Sequence, residues 1–327
     1  MNNRPKVSVV VPIYKVEAFI ERCARSLFEQ TLDDIEYLFI DDASPDRSVE
    51  ILLRILEEYP HRKKQVKIHH MDRNSGQAIV RQWGIQNSSG EYIIHCDSDD
   101  WVEKDAYESL YLYAISNKCD IVLHDYFMSD GAEKKVVNLN FPDVEKKSVI
   151  STIISGAERG SLCMALVKRE IYFKEEMLFP VGDMTEDSTL LIQMLWLADN
   201  IKHLPKPYYN YYRNASSTTN SLSIASCEKK FKDCCNNTTL IEEFLNEHCC
   251  TFFKEDILIR KLSNINLLLP AIYKHPYYLK WRYTYPNIFS QILRLRRISW
   301  GVKVKIILAY CGFYPIYHFL KGYKFAK

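Results

Sequence analysis

The first 126 residues predict an α/β fold with a parallel sheet, on three observations. Val7 to Val11 is a valine-rich run that stops at Pro12, the mark of a strand buried on both faces. Strand-like segments alternate with segments of helical periodicity, which calls for right-handed crossovers between parallel neighbours. Two of the strands end on carboxylates, Asp41-Asp42 and Asp97-x-Asp99-Asp100. In open α/β sheets that end is where ligands bind.

The elements follow in order. Val16, Phe19, Ile20, Cys23, Leu27 and Phe28 fall at helical spacing over 16–30. Ile35 to Ile40 is the second strand, and Ser44-Pro45 reads as an N-cap and first position of a helix reaching Tyr59. Val66 to His70 is a third strand, residues 75–88 a helix closed by Ser88-Ser89-Gly90, and Tyr92 to Cys96 a fourth strand. A helix over 103–117 and a strand from Ile121 to Tyr126 extend the sheet. The charged stretch 129–147 predicts a surface excursion, and 148–200 returns to mixed structure with a helix from Thr185 to Leu197. Pro205 and Pro207 predict a bend into the run Tyr208-Tyr209-Asn210-Tyr211-Tyr212-Arg213. Beyond Ser216, helices are expected at 225–247, 253–269 and 287–297. No G-x-G-x-x-G follows the first strand and no Walker lysine loop occurs, so neither a dinucleotide fold nor a P-loop enzyme is supported. His69, His70 and His95 fall in or beside strands and read as packed histidines.

Charge is unevenly spread. Residues 257–327 contain 13 Lys or Arg and no acid, whereas residues 1–256 hold 30 against 41 Asp or Glu, a formal −11. Such a split predicts a basic region that meets an anionic surface. The ten cysteines lack the C-x₂-C spacing of a zinc site, and reduced thiols in a cytosolic protein are the expectation. The start Met1–Lys6 carries no signal-peptide core, and no run reaches the about 18–20 apolar residues of a spanning helix.

Asp97-Ser98-Asp99-Asp100 is the stretch with most chemistry. Alternation along an extended chain puts Asp97 and Asp99 on one side, where they repel unless a cation sits between them. Oxygen ligands without Cys or His suit a hard ion, Mg²⁺ or Mn²⁺. The plainer reading is a solvated turn with Asp as a helix N-cap.

The order of further motifs decides between these. Val7 to Tyr14, Ser26-Leu27-Phe28-Glu29-Gln30-Thr31, Asp41-Asp42-Ala43-Ser44-Pro45-Asp46, Asn74-x-Gly76-x-x-x-x-Arg81-x-x-Gly84, Gly90-Glu91-Tyr92, the Asp97–Trp101 block and Thr185-Glu186-Asp187 occur in sequence. From Lys6 to about Ser217 the chain thus resembles the inverting GT-A glycosyltransferases of family 2. Ala43 departs from the glycine usual in the second motif, so that turn is expected to avoid positive φ. Lys15 stands where asparagine is common.

The resemblance implies a GT-A fold, a mixed or parallel sheet flanked by helices, with a helical C-terminal extension. It divides the chain into a nucleotide-sugar-binding half at 1–125, an acceptor-binding half at 126–217 and a helical, basic region at 218–327. It implies a donor sugar on a nucleoside diphosphate, UDP in particular, and Mn²⁺ or Mg²⁺ on Asp99, with Asp97 reaching the ion or the ribose and Ser98 between them. Pro12, Tyr14, Glu17, Asp42 and Arg81 would line the nucleoside and diphosphate pocket. Arg213 would neutralise the diphosphate, with Ser216 or Ser217 closing over it. Asp187 would be the general base and Glu186 its helper, since consecutive residues of a first helical turn point about 100° apart and one normally faces the pocket. Helix-dipole placement is the plainer explanation of that acidic pair.

The acceptor implied is a lipid-linked or growing glycan of a bacterial surface polysaccharide. Segment 291–324 alternates cations with apolar and aromatic residues, the profile of an element lying on an anionic membrane, which places the protein peripherally on the inner face. A helical subdomain docked on the acidic half is the alternative, and nucleic acid explains the apolar interleaving less well. The rival functions are a nucleotide-sugar-binding scaffold without turnover and a nucleotidyltransferase. The oligomeric state leaves no mark in the sequence.

Overall fold

The computed structural model describes residues 4–131, 133–139, 141, 145–213, 223–248 and 251–316. Four strands, β1 (Val7–Ile13), β2 (Ile35–Asp41), β3 (Val66–His70) and β4 (Tyr92–His95), lie parallel in the order β3-β2-β1-β4. The β1 valines are fully buried, as an apolar run without alternation requires. The helices α1 (Ile20–Phe28), α2 (Ser48–Glu57) and α3 (Gln77–Gln86) make the crossovers. α3 packs on β1 and β2, and Gly84 allows the approach: a Cβ there would stand 2.5 Å from Val10 Cγ1.

Beyond β4 the sheet becomes mixed. β8 (Ala165–Lys168) joins β4 antiparallel and separates it from β6 (Ile121–Ser129), the strand expected to extend the sheet. β9 (Ile201–Tyr212) runs parallel to β6, and β5 (Trp101–Val102) closes that edge. The remaining elements are β7 (Lys134–Val137), α4 (Ala106–Ser116), α5 (Lys146–Ser155), α6 (Glu186–Leu197), α7 (Ile224–Glu247), α8 (Lys254–Asn266), α9 (His275–Tyr283), α10 (Ile288–Arg294) and α11 (Trp300–Tyr310).

Local expectations change where partners override pattern. The excursion at 129–147 holds β7, a lysine-bearing edge strand paired antiparallel with β6. Pro205 and Pro207 lie within β9, and the bend expected there coincides with register shifts around Asp125 of β6, which accommodate their missing N–H groups. α2 starts at Ser48, not Pro45, because the Ser44 hydroxyl is engaged upstream by the Lys15 N–H. Ala43 adopts φ +53°, the left-handed conformation its side chain was expected to exclude. That costs roughly 1 kcal/mol, against which the Ser44 N–H donates to Asp41 Oδ1 at 2.9 Å.

One hydrophobic core runs from Val7 to Ile257, and a second gathers Leu262, Ile265, Leu268, Trp281, Ile292 and Ile306. α8 contributes to both. A division at residue 125 falls inside β6, with a shared core on either side, and one at 217 lies outside the described residues. Within the C-terminal region Arg297–Asp256 and Lys261–Glu242, each 2.6 Å, and Lys280–Glu228 hold the helices to one another, and the region docks on the rest through Lys229–Asp183 at 2.6 Å and Arg260 on Ser188 Oγ at 3.0 Å. Ile292, Leu295, Ile306 and Ala309, expected on a bilayer, are instead consumed by the second core. Among the described residues no helix is long and apolar enough to cross a membrane.

Candidate active site

The loops leaving β1 and β2 are sewn together. The N–H groups of Lys15, Val16 and Glu17 donate to Ser44 Oγ, Ser48 Oγ and Asp46 Oδ2 at 2.8, 3.0 and 3.0 Å. Glu17 completes the seam by accepting the Arg47 N–H at 3.1 Å, so its carboxylate braces the loop. Tyr14 presents a ring 40% exposed, with the Lys15 ammonium 5.2 Å from its centroid. Pro12 offers its carbonyl to Ser98 Oγ at 2.7 Å, which ties the acidic turn to the end of β1. Asp42 is buried, and its oxygens accept the N–H groups of Ser75 at 2.6 Å and Gly76 at 3.0 Å, fixing the entry to α3. Burial pushes the Asp42 carboxyl above its ordinary pKa despite these two bonds. His69 stacks on Trp83 at 3.8 Å and His95 is buried, both packed as expected, whereas His70, paired with Asp41 at 3.0 Å, has a side chain 62% exposed.

β4 ends at His95, and residues 97–100 turn tightly, closed by the Asp100 N–H on the Asp97 carbonyl at 3.0 Å. Strand alternation therefore does not orient Asp97 and Asp99; the turn does. Asp100 is an internal brace. The Tyr209 hydroxyl donates to its Oδ2 at 2.5 Å and the Tyr212 N–H to its Oδ1 at 2.7 Å. The same Tyr209 oxygen accepts the Asp97 N–H at 3.1 Å. Burial, then the charges of Asp99 and Asp97, push the Asp100 carboxyl well above the usual range. On the other side Arg22 lies between the rings of Trp101 at 3.7 Å and Tyr212 at 4.7 Å and donates to the Asp99 carbonyl at 2.9 Å.

Arg81 connects this turn to the acidic pair of α6. Only 1% exposed, it donates from Nη2 to Asp97 Oδ1 at 2.8 Å, and its Nη1 stands 3.0 Å from Asp187 Oδ1, an ion pair without hydrogen-bond alignment. Its Nε is 3.7 Å from Glu186 Oε1. Both acidic residues thus meet the same guanidinium, where helical geometry had predicted one. Burial alone would lower the Arg81 pKa, but Asp187, Asp97 and Glu186 raise it well above the ordinary value. Burial and then Asp187 push Glu186 far above the carboxylate range, against the pull of Arg81. Asp187 keeps a more open side chain, 20% exposed, with Ser161 Oγ donating at 3.3 Å.

Carboxylates outnumber the cation here. Burial raises Asp97 to about 6, Arg81 opposes this, and Asp187 and Asp99 reinforce it. A set of hard oxygens with excess negative charge fits a divalent ion. Among the described residues no three His, Cys, Asp or Glu converge on one point, so such an ion would draw further ligands from phosphate and water. Arg213 follows the Tyr212 held by Asp100, is exposed, and gives its N–H to Ser129 at 2.8 Å. Ser216 and Ser217 lie outside the described residues. A cavity of about 500 Å³ lined by Arg22, Arg25 and Trp101 lies behind the turn, away from Arg81.

Sequence reasoning missed Tyr209, Arg22 and Asp183. Asp183 takes the Ala78 N–H at 3.3 Å and the Lys229 ammonium at 2.6 Å, so it ties α3 to α7. A Cβ on Gly76, at φ +91°, would stand 2.3 Å from its oxygen. Period-two alternation through the tyrosine run was the available signal for an inward Tyr209.

A mixed sheet whose parallel half ends in stitched loops, with acids from two distant segments on one cation, is the architecture of a GT-A sugar transferase. The chain belongs to glycosyl transferase family 2, whose model matches residues 8–173. It is 30% identical over 220 residues to the putative glycosyltransferase EpsH of Bacillus subtilis (strain 168). That match covers 65% of this chain and 62% of EpsH, so the chain spans less than two thirds of that relative's length. In fold it is similar to S. aureus TarS 1-349 in complex with UDP-GlcNAc, with TM-score 0.60, 18% identity and 97% and 92% of the two chains covered. It is also similar to mannosyltransferase PcManGT from Pyrobaculum calidifontis in complex with GDP-Man and Mn²⁺, with TM-score 0.55, 15% identity and 95% and 88% coverage.

Proposed function

We propose that the protein moves a sugar from a nucleoside diphosphate, UDP in particular, to a hydroxyl of a lipid-linked or growing glycan in bacterial surface polysaccharide synthesis. The observation that carries this is Arg81, which joins the Asp97 turn to Glu186 and Asp187 and so sets donor and base residues side by side. The donor half is 1–125 and the acceptor half 126–217. Mn²⁺ or Mg²⁺ would be held by Asp99 and Asp97, and when bound it supplies Lewis acidity to a departing diphosphate. Tyr14 gives the base a ring to lie on, and Pro12, Glu17, Asp42 and Ser98 keep the pocket floor in place. Arg213 supplies positive charge at the rim.

Asp187, the more open carboxylate, takes the proton of the acceptor hydroxyl, while Glu186, buried behind it, helps to orient the acceptor or the base. No covalent nucleophile is needed, so attack opposite the leaving group inverts the anomeric configuration. The nucleotide sugars in the TarS and PcManGT complexes support the donor class, and the Mn²⁺ in the latter supports the metal. The place of work is the inner face of the cell membrane.

The test is Mn²⁺-dependent turnover of UDP-sugars by the parent, Asp99→Asn and Asp187→Asn. Each substitution should lower the rate by about 10²–10⁴. Parent-like rates in both would remove the assignment. Pyrophosphate as product would indicate nucleotidyl transfer, and binding without turnover a scaffold.

A further inference from the structure

α11 is apolar on its outward side as well as on its inward side, unlike a helix that faces water. Its inward positions are Lys303, Ile306 and Ala309, while Trp300, Val304 and Ile307 recur at three- and four-residue spacing on the outward side. Phe313 and Ile316, past the end of the helix, and Tyr310, which leans on Phe289 and Arg282, add exposed apolar surface, and Trp300 is 76% exposed. The charge inside the helix is turned away from it, because the Lys303 ammonium donates to the Leu293 carbonyl at 2.9 Å. Cations rim the stripe. Arg294 and Arg296 are exposed in the approach to α11, Lys305 lies 5.7 Å from the Tyr314 centroid, and Arg282 covers Tyr310 at 4.2 Å. The acids that reach this region, Asp256, Glu242 and Glu228, are engaged by Arg297, Lys261 and Lys280. Among the described residues none forms an ion pair with Arg294, Arg296 or Lys305.

We infer that this face binds a bilayer carrying anionic headgroups, with the apolar stripe in the acyl boundary and the three cations on the phosphates. The inference deepens the reading of a transferase with a lipid-linked acceptor, and it rests on that reading for its purpose. Eleven residues make a helix of about 16 Å, long enough to lie in the interface and too short to cross it. A second copy of the chain fits poorly, since a two-fold contact through the stripe sets Arg294 and Arg296 of one copy against those of the other. Nucleic acid would match the cations but leave six large apolar side chains against a polar polymer. The acidic residues 1–256 are repelled by the same lipid surface, so the charge split also orients the molecule.

The test is sedimentation of the full chain with phosphatidylcholine vesicles, with and without phosphatidylglycerol, at low and high salt. The parent should bind the anionic vesicles and release them in salt. Arg294→Gln with Arg296→Gln should weaken binding about 30-fold, at about fivefold per cation, and Val304→Glu with Ile307→Glu at least about 10-fold. Both double variants should keep the parent melting temperature and rate of UDP-sugar hydrolysis. Absence of vesicle binding, equal binding to neutral vesicles, or undiminished binding by the glutamate variant would overturn the inference. So would a fall in molar mass on introducing the glutamates, which would make the stripe a contact between copies. If vesicle binding fails while UDP-sugar turnover persists, only the lipid contact falls. If binding behaves as expected and turnover is absent, the transferase reading falls and the contact stands.

Discussion

Arg81 and Arg260 are both buried, 1% and 7% exposed, yet they are held in opposite ways. Arg81 answers three carboxylates, which lift its pKa despite burial. Arg260 meets hydroxyls, donating to Thr238 Oγ1 at 3.2 Å and Ser188 Oγ at 3.0 Å, and burial pulls its pKa down. Both reach the first turn of α6, one from the catalytic half and one from the C-terminal region. Neighbours decide what a buried cation is worth. Asp97, Glu186 and Asp187 depend on Arg81 for charge compensation, whereas Ser188 and Thr238 also donate to the carbonyls of Thr185 and Cys234.

The largest expected effect breaks or confirms that contrast directly. Arg81→Met should destabilise the protein by about 3–5 kcal/mol, because it strands buried acids, while Arg260→Met should stay within about 1 kcal/mol of the parent. Equal losses in urea unfolding would contradict the comparison. His124 sharpens it as a buried base with no cluster of acids: burial pulls it from 6.5 to about 4. Neutral when folded and chargeable when unfolded, it contributes stability present above the unfolded value and lost as pH falls toward the folded one. His124→Gln should therefore remove about 2–3 kcal/mol of the acid-side loss between about pH 7 and pH 4.5, and parallel pH–stability curves would count against it. Arg22→Leu gives up a cation held by rings, not acids, and should cost about 1–2 kcal/mol in the same assay. Ala43→Gly, which changes backbone strain and no charge, should stabilise by about 1 kcal/mol, and an unaltered melting temperature would show that the turn carries no strain.

The parallel half was legible because β1, β2 and β4 are short runs dominated by β-branched and aromatic residues, and such runs announce buried strands from local composition alone. β8 was not, since Ala165-Leu166-Val167-Lys168 is too short to show a period and its direction depends on partners more than forty residues away in sequence. Motif order singled out Asp97, Asp99, Glu186 and Asp187, but spacing says nothing about which acids meet one guanidinium, so Arg81 as the common partner of Asp97, Glu186 and Asp187 emerged only in three dimensions. Positive φ at Ala43 was misread because the intrinsic preference of alanine was weighed without the Asp41 bond that overrides it. The tail mixed two messages, and among its described residues they part: Ile292, Leu295, Ile306 and Ala309 build a core, while Trp300, Val304 and Ile307 face outward.

Tyr209 has a temporal consequence. The acidic turn it supports is made 112 positions before it, so on the ribosome every aspartate of the turn emerges long before the phenol that fixes them. A nascent or prematurely ended chain would carry the whole motif in unfixed form, and the site is completed only when the last long strand has been threaded into the sheet.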